Sequence, residues 1–459
     1  MTSRLLAMRK GDELTMQSPN MGMGSTHKYP RRMIIAMAII LSGVNLAGCG
    51  VVQSQGKTSV SSSHAQVVTL WESHSPALPA GKSMQALVDQ FNRTHQKIHV
   101  DLTVTKASRK ALAALPVGNA PVLAEISHYD GNYIKAHVVK SWNPYIGHGL
   151  SLSVTQSLYH DIWHNGEVNG QHYRLEADAK VSQLTYNQSI FAKVGIRHVP
   201  TTWAQLAADV NLIKARDPQV VPLAWKDASD SILPFLLSNG GHIYQTGSQE
   251  KAAAFRSAAA TNTFSYFREM YQHHEMIFGS GTEIHADFGV GKLAIADGTS
   301  AGYQKNLEAA GGKFPVGVFP YPQGSTGHTS NLVQGLGFVL MKGHSQAQDK
   351  AAVDFVNWFL SPKQQAYWGE HSGYPTETAA GYHAIPSRFL SEHIGLVVAN
   401  RILQSSYTIS RPVPDAYSEV QAAMDSQFYN AVVGRSSVPQ ALTTLERQAN
   451  NYLSGKSAL

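Results

Sequence analysis

The segment from Val67 to Ile126 constrains the fold most. It opens with the β-branched run VVTLW (67–71), which reads as a buried strand. In SMQALVDQFNRTH, Met84, Leu87, Val88 and Phe91 recur at i, i+3, i+4 and i+7 and make one helical face. KIHVDLTV then alternates as a strand, and GNAPVLAEI is a turn feeding another. Strand, helix and strand in succession need a crossover connection. This part of the chain therefore reads as an α/β unit with a partly parallel sheet.

The rhythm continues. VSQLTYNQSIFAKVGI reads as strand then helix, and Thr202 is the expected N-cap of the amphipathic helix in PTTWAQLAADVNLIKA, which follows Pro200. Residues 250–276 read as a long helix, and GKLAIADG and FPVGVFPYP as strands. NLVQGLGFVLMKG is a glycine-rich apolar strand region, and a helix pair broken at Ser361-Pro362 follows. QALTTLERQANNYL is a last amphipathic helix. A chain of 459 residues exceeds what one core organises, roughly 250–300 residues, so two domains are expected. The composition, 43% hydrophobic and 15% charged, is that of a globular protein.

The first 48 residues read as a targeting segment. Lys28, Arg31 and Arg32 precede an apolar stretch, Met33 to Val44, of twelve residues. A bilayer-spanning helix needs about 20, so this is the core of a signal peptide. Leu46-Ala47-Gly48-Cys49 resembles the bacterial lipobox, in which the cysteine is acylated and the peptide is cut before it. The resemblance implies a signal peptide over 1–48 and a lipid anchor on Cys49, with Met21 or Met23 as alternative starts. Cys49 is the sole cysteine, which excludes intramolecular disulfides and cysteine-based zinc sites. Residues 50–66 are rich in Ser, Gln and Gly and form a tether of roughly 20–25 Å. The formal charge of +6 falls to +2 once residues 1–48 are set aside, leaving 31 Lys/Arg against 29 Asp/Glu. Bulk charge therefore gives no support to a nucleic-acid partner.

From Val67 onward, several stretches in order resemble the substrate-binding lipoproteins of bacterial ABC importers, the extracellular solute-binding family that includes sugar binders. They are LW (70–71), LVDQFNRTHQKIHV, GNAPVL, TYNQSIFAKVGI with VPTTWAQL, GKLAIADGTS and FVNWFLSPKQQAYWGEHSGYPT. The resemblance implies an α/β, two-lobed periplasmic-binding-protein fold of type II, the Venus-flytrap arrangement, with several interlobe crossings. These are expected near 176–181, 314–320 and 337–343. The N-lobe is expected over 67–178 plus 316–340, and the C-lobe over 179–315 plus 341–459. Solute is expected in the cleft and closed in by hinge motion.

SGYPT (372–376) and SYTISRPVP (406–414) are similar to the glycerol-3-phosphate-binding subgroup at its tyrosine and arginine positions, here Tyr374 and Arg411. A phosphate favours a forked guanidinium, backbone N–H groups and hydroxyls. The subgroup's pattern further implies ligand contacts from Ser300, from Gly335 through its bare backbone, and from Trp225 against the glycerol part. Trp71 ends the first strand, where its ring is expected to line the cleft. Three positions depart from the subgroup. His128 stands where a carboxylate is found, Ala179 and Lys180 where serines are, and Ala107 and Ser108 where a tyrosine is. Lys180 keeps anion binding, and His128 joins the candidate ligand set.

Two short motifs point elsewhere. GTSAG (298–302) fits the G-x-S-x-G pattern of serine hydrolases, with Ser300 as nucleophile and Asp354 and His371 following in order. HDIWH (160–164) spaces two histidines at i and i+4 but carries Asp161 where the zinc-peptidase pattern needs Glu.

The expectation is a monomeric, lipid-anchored, extracytoplasmic solute-binding protein. It is not an enzyme and needs no cofactor or metal. It delivers its solute to permease subunits whose ATPases are separate chains. Glycerol-3-phosphate or a glycerophosphodiester is the favoured ligand. A mono- or oligosaccharide is the alternative within the class, and a surface serine hydrolase the alternative outside it.

Overall fold

The computed structural model describes residues 65–127, 130–226, 232–248, 250–405, 407–409 and 416–455. Cys49, residues 50–64 of the expected tether, His128 and Arg411 lie outside them, and the tether's last residue, Gln66, begins the first strand. The first strands among the described residues are β1 (Gln66–Glu72), β2 (Ile98–Val104), β3 (Leu123–Ile126), β4 (Val139–Lys140), β5 (Glu167–Val168), β6 (Gln171–His172) and β7 (Leu175–Glu176). Then come β8 (Ser182–Asn187), β9 (Val221–Lys226), β10 (Met276–Gly279), β11 (Leu293–Thr299) and β12 (Val316–Pro320). β13 (Asn331–Leu332), β14 (Gly337–Met341) and β15 (Thr408–Ile409) follow.

Two larger sheets carry the two lobes. The N-lobe sheet runs β2-β1-β3-β14-β4, with β7 also on β14. In it β1 is parallel to β2 and β3, and β14 is antiparallel to β3. The C-lobe sheet runs β10-β9-β11-β8-β12, and β8 lies antiparallel to both β11 and β12.

Periodicity explains the N-lobe. Met84, Leu87, Val88 and Phe91 are at most 1% exposed, on one face of the helix Pro79–Thr94. The Phe91 ring meets Phe355 of the helix Gln346–Phe359 edge-on at 5.2 Å. In β1, Val68, Leu70 and Glu72 are the buried positions. A period of two therefore carries a carboxylate inward at the strand's end. In the C-lobe, the Thr202 side chain accepts from the Gln205 N–H and caps the helix Trp203–Arg216. Trp225, Phe235, Phe267 and Tyr321 form an aromatic core with ring centroids 4.6–5.8 Å apart. Truncating one such phenylalanine to alanine costs about 3–5 kcal/mol.

The lobe boundaries differ from those expected. β12 pairs with β8, so 316–320 belongs to the C-lobe sheet. The helix Gln346–Phe359 packs on β1, and Pro362–His371 packs on Pro79–Thr94, so both belong to the N-lobe. These pairings bridge large sequence separations, which local pattern does not encode.

Three segments connect the lobes. Residues 177–181 lead from β7 to β8, 321–336 return from β12 to β14, and 372–393 run from the helix Pro362–His371 to the helix Ile394–Leu403, which packs on β12 in the C-lobe. The expected crossing at 176–181 is in place, whereas 314–320 and 337–343 mostly lie within strands of single lobes. The first two segments pair as a narrow antiparallel ribbon. Lys180 N–H donates to Gln334 O at 2.7 Å, Gln334 N–H to Lys180 O at 2.9 Å, and Ala177 N–H to Leu336 O at 2.9 Å. The third segment joins through Glu377, whose Oε1 accepts the Ala179 N–H at 2.8 Å. Among the described residues, no helix is long and apolar enough to cross a membrane.

Two variants test this junction. A Cβ at Gly335 would lie 2.8 Å from the Asp178 carbonyl oxygen and 3.0 Å from carboxylate oxygens of Asp178 and Glu176. Gly335→Ala should lower the unfolding free energy by about 1–3 kcal/mol in a denaturant titration, and a neutral result would contradict the packing described. Glu377 is fully buried, and burial, reinforced by Glu176, raises its pKa well above 4.5. A raised folded-state pKa means that its contribution is intact below about pH 4.5 and is lost as pH rises through the folded-state value. Glu377→Gln keeps an acceptor for Ala179 but cannot ionise. Stability measured from pH 5 to 8 should therefore fall more steeply with rising pH in the wild type than in Glu377→Gln, and equal slopes would contradict this account.

Candidate functional site

The lobes enclose a cleft of about 480 Å³. All three crossing segments reach it, through Lys180, Gln334 and Tyr374. From the N-lobe it is lined by His74 and the start of the helix Pro79–Thr94. From the C-lobe come Lys226, which ends β9, and the N-terminal turn of the helix Ser300–Ala310. Thr299 caps that helix, its side chain accepting from Gly302 N–H at 3.3 Å. The start of the helix Gly281–Gly289 also faces the cleft through Gly281 and Thr282. Unpaired N–H groups and the positive end of the helix dipole meet there, which favours an anion.

Lysines add to this. Lys180, Lys226 and Lys305 all line the cleft, and none is in an ion pair among the described residues. Lys180 Nζ lies 5.8 Å from the centroid of the Tyr374 ring. Burial lowers the pKa of His285, which also lines the cleft; Lys305 and Lys226 lower it further, against a hydrogen bond to Asn306 at 2.6 Å. Tyr374 is half-buried and contacts His74 edge-on at 5.6 Å and Trp368 at 6.0 Å. Burial, then Asp178 and Glu125, keep its phenol protonated by raising its pKa.

Behind His74 lies a buried acidic cluster. Glu72 ends β1 and Glu125 is the penultimate residue of the neighbouring parallel strand β3, with their carboxylates close together. His74 Nδ1 is 3.0 Å from Glu72 Oε2 and 3.6 Å from Glu125 Oε2, and Nε2 is 2.9 Å from Asp178 Oδ2. Burial disfavours charge on His74, but Glu125, Asp178 and Glu72 outweigh it and raise the pKa to about 11. Burial raises Glu125, while His74 pulls it back.

The expected site residues divide. Lys180 and Tyr374 face the cleft together. Ser300 is 6% exposed at the first turn of its helix; its Oγ accepts from Val181 N–H at 3.4 Å, and it lines a smaller side pocket of about 160 Å³ behind Tyr374. Gly335 lies against Asp178 and Glu176 in the ribbon, where its neighbour Gln334 reaches the cleft. Trp225 is 0% exposed in the aromatic core, and the cleft is met by Lys226 beside it. Trp71 is on the face of β1 opposite Glu72, packed against the cluster that holds Tyr133 and Val339. His128 and Arg411 are outside the described residues.

Sequence reasoning passed over Lys226, Lys305 and the cluster around His74. The signal for Glu72 and Glu125 was their place within apolar strand runs, where a carboxylate is out of character.

The two catalytic motifs gain little. β11 runs straight into the helix Ser300–Ala310, as the hydrolase pattern requires. Among the described residues, however, no hydrogen bond joins Ser300 to a histidine, and His371 Nδ1 is held by Tyr367 O at 2.9 Å. HDIWH forms a helix of five residues, and His164 Nδ1 is engaged by Glu167.

The profile of the bacterial extracellular solute-binding protein family matches residues 86–383. The chain is similar to the sn-glycerol-3-phosphate-binding periplasmic protein UgpB of Pectobacterium atrosepticum, with 21% identity over 83% of this chain and 90% of that one. In fold it is similar to the cyclic alpha-maltosyl-1,6-maltose binding protein of Arthrobacter globiformis, with a TM-score of 0.75 and 20% identity over 85% of this chain and 100% of that one. It is likewise similar to UgpB of Mycobacterium tuberculosis in complex with glycerophosphocholine, with a TM-score of 0.73 and 16% identity over 84% and 98% of the two chains. The chain belongs to the bacterial extracellular solute-binding protein family, and its role is that of the substrate-binding protein of an ABC importer.

Proposed function

We propose that the cleft captures a small phosphate-bearing solute, glycerol-3-phosphate or a glycerophosphodiester, by hinge closure and presents it to a membrane permease. The protein acts as a monomer, held at the membrane through Cys49. The observation that carries this reading is the convergence of Lys180, Lys226 and Lys305, without carboxylate partners, on one cleft with two helix N-termini. The similarity to the glycerol-3-phosphate-binding UgpB of Pectobacterium atrosepticum supports it. Closure follows if the solute touches both lobes, since only contacts absent from the open form favour the closed one. Lys226 and Lys305 come from the C-lobe and Lys180 and Tyr374 from the crossings, and His74 with the start of the helix Pro79–Thr94 faces them from the N-lobe.

The carbohydrate reading is weaker on the same ground. Tyr374 is the one Tyr, Trp or Phe among the described residues of the cleft wall, so a sugar finds a single stacking surface. Thermal unfolding with solutes at 1 mM separates the readings. A ligand with a dissociation constant near 1 μM adds about 4 kcal/mol, a shift of several degrees. Glycerol-3-phosphate or glycerophosphocholine should give that shift and maltose-type sugars none. Replacing Lys226 and Lys305 together by Gln should weaken phosphate binding about 10–100-fold in calorimetry. A shift with sugars alone, indifferent to the double variant, would overturn the phosphate reading and leave the transport role in place.

A further inference from the structure

We propose that Glu72, His74 and Glu125 form a binding site for one divalent transition-metal cation of the zinc class, built into the N-lobe wall of the cleft. The ligand atoms that these three residues offer lie within 4.8 Å of one another. A zinc ion sits about 2.0–2.2 Å from N and O ligands, which sets neighbouring ligand atoms about 3–3.6 Å apart. His74 Nδ1 meets that spacing to both carboxylates, at 3.0 Å and 3.6 Å.

The surroundings match what a metal ligand set requires. A coordinating histidine donates its other ring N–H to a carboxylate, which fixes tautomer and ring plane. His74 Nε2 has Asp178 Oδ2 at 2.9 Å for this purpose. Glu72 Oε2 accepts the His74 backbone N–H at 2.8 Å, and Glu125 Oε2 accepts that of Ser73 at 3.0 Å. Both carboxylates are thus held from behind.

The independent observation is what a proton leaves undone. With Nε2–H given to Asp178, a neutral His74 turns a lone pair towards two carboxylate oxygens. A second proton on Nδ1 satisfies Glu72 Oε2 alone. Glu72 Oε1 and Glu125 Oε1 remain without a hydrogen-bond partner among the described residues, in side chains that are 0% exposed. Buried charge without a partner is costly, and a doubly charged ion among the three residues neutralises both carboxylates. Without an ion, His74 is the group that faces both carboxylates with positive charge, through the Nδ1 position that a metal would take instead of a proton. One imidazole and two carboxylates suit zinc better than magnesium or calcium, whose sites are built of oxygen. Three protein ligands leave a fourth position, and His74 lines the cleft, so solvent reaches the site from there.

The test uses purified protein stripped with a chelator. Calorimetric titration with Zn²⁺ should show one equivalent bound and a raised Tm. His74→Gln and Glu125→Gln should each abolish that equivalent, and Asp178→Asn should weaken it about 10–100-fold. Substituting His160 and His164 by Ala should leave it intact, which separates the site from the exposed histidine pair. Binding weaker than millimolar, or binding lost with the His160 and His164 substitutions and kept in His74→Gln, would overturn the proposal. If the buried variants do not fold, anomalous diffraction at the zinc edge on wild-type crystals decides. A peak among Glu72, His74 and Glu125 supports the site, and no peak there refutes it.

Discussion

Everything functional in this molecule depends on the antiparallel pairing of 177–181 with 334–336. Two backbone hydrogen bonds between Lys180 and Gln334 tie the segments by which the chain leaves and re-enters the N-lobe sheet. The pairing is short, with Ala177 N–H to Leu336 O as its next bond. It is also heavily supported from the side. Glu377 takes the Ala179 N–H, Ser300 takes the Val181 N–H, and the Asn331 side chain bonds both backbone groups of Ser182. A narrow ribbon whose polar groups are satisfied bends as a unit rather than unravelling, which is the property a hinge needs.

The ribbon also sets the electrostatics. It carries Asp178 towards His74 on one side and Lys180 towards the cleft on the other. The outcome is a wall that is acidic behind and basic in front, with His74 and Tyr374 between them. The cleft wall carries Asp297 and Glu308 beside the three lysines, while Glu72, Glu125 and Asp178 gather around His74.

Legibility in the sequence followed the range of the interactions. The helix Pro79–Thr94, its buried face and the Thr202 cap were readable because each is decided within a few residues. Lobe membership was not, since the pairing of β12 with β8 and the packing of Gln346–Phe359 on β1 join segments far apart in the chain. Ligand candidates split on the same principle. Lys180 and Tyr374 sit on crossings, which any two-lobed arrangement brings to the cleft. Trp225 sits on β9, where Pro222, Leu223, Ala224 and Trp225 are all buried, so its ring turns into the aromatic core and the strand's last residue, Lys226, meets the cleft.

The cluster around His74 shows why a buried charge is harder to read than a buried apolar group. Within LWESH, Glu72 continues the inward positions of Val68 and Leu70, and LAEI places Glu125 in a strand buried on both faces. Periodicity alone names these positions as interior, while residue type alone names them as surface. Only pairing resolves the conflict: β1 beside β3 sets one carboxylate next to the other, and the ribbon delivers Asp178 to the imidazole between. Three carboxylates arriving from three separate segments at one histidine would repel each other in the absence of positive charge. The fold therefore spends stability there, and sites where a fold does so are where function concentrates.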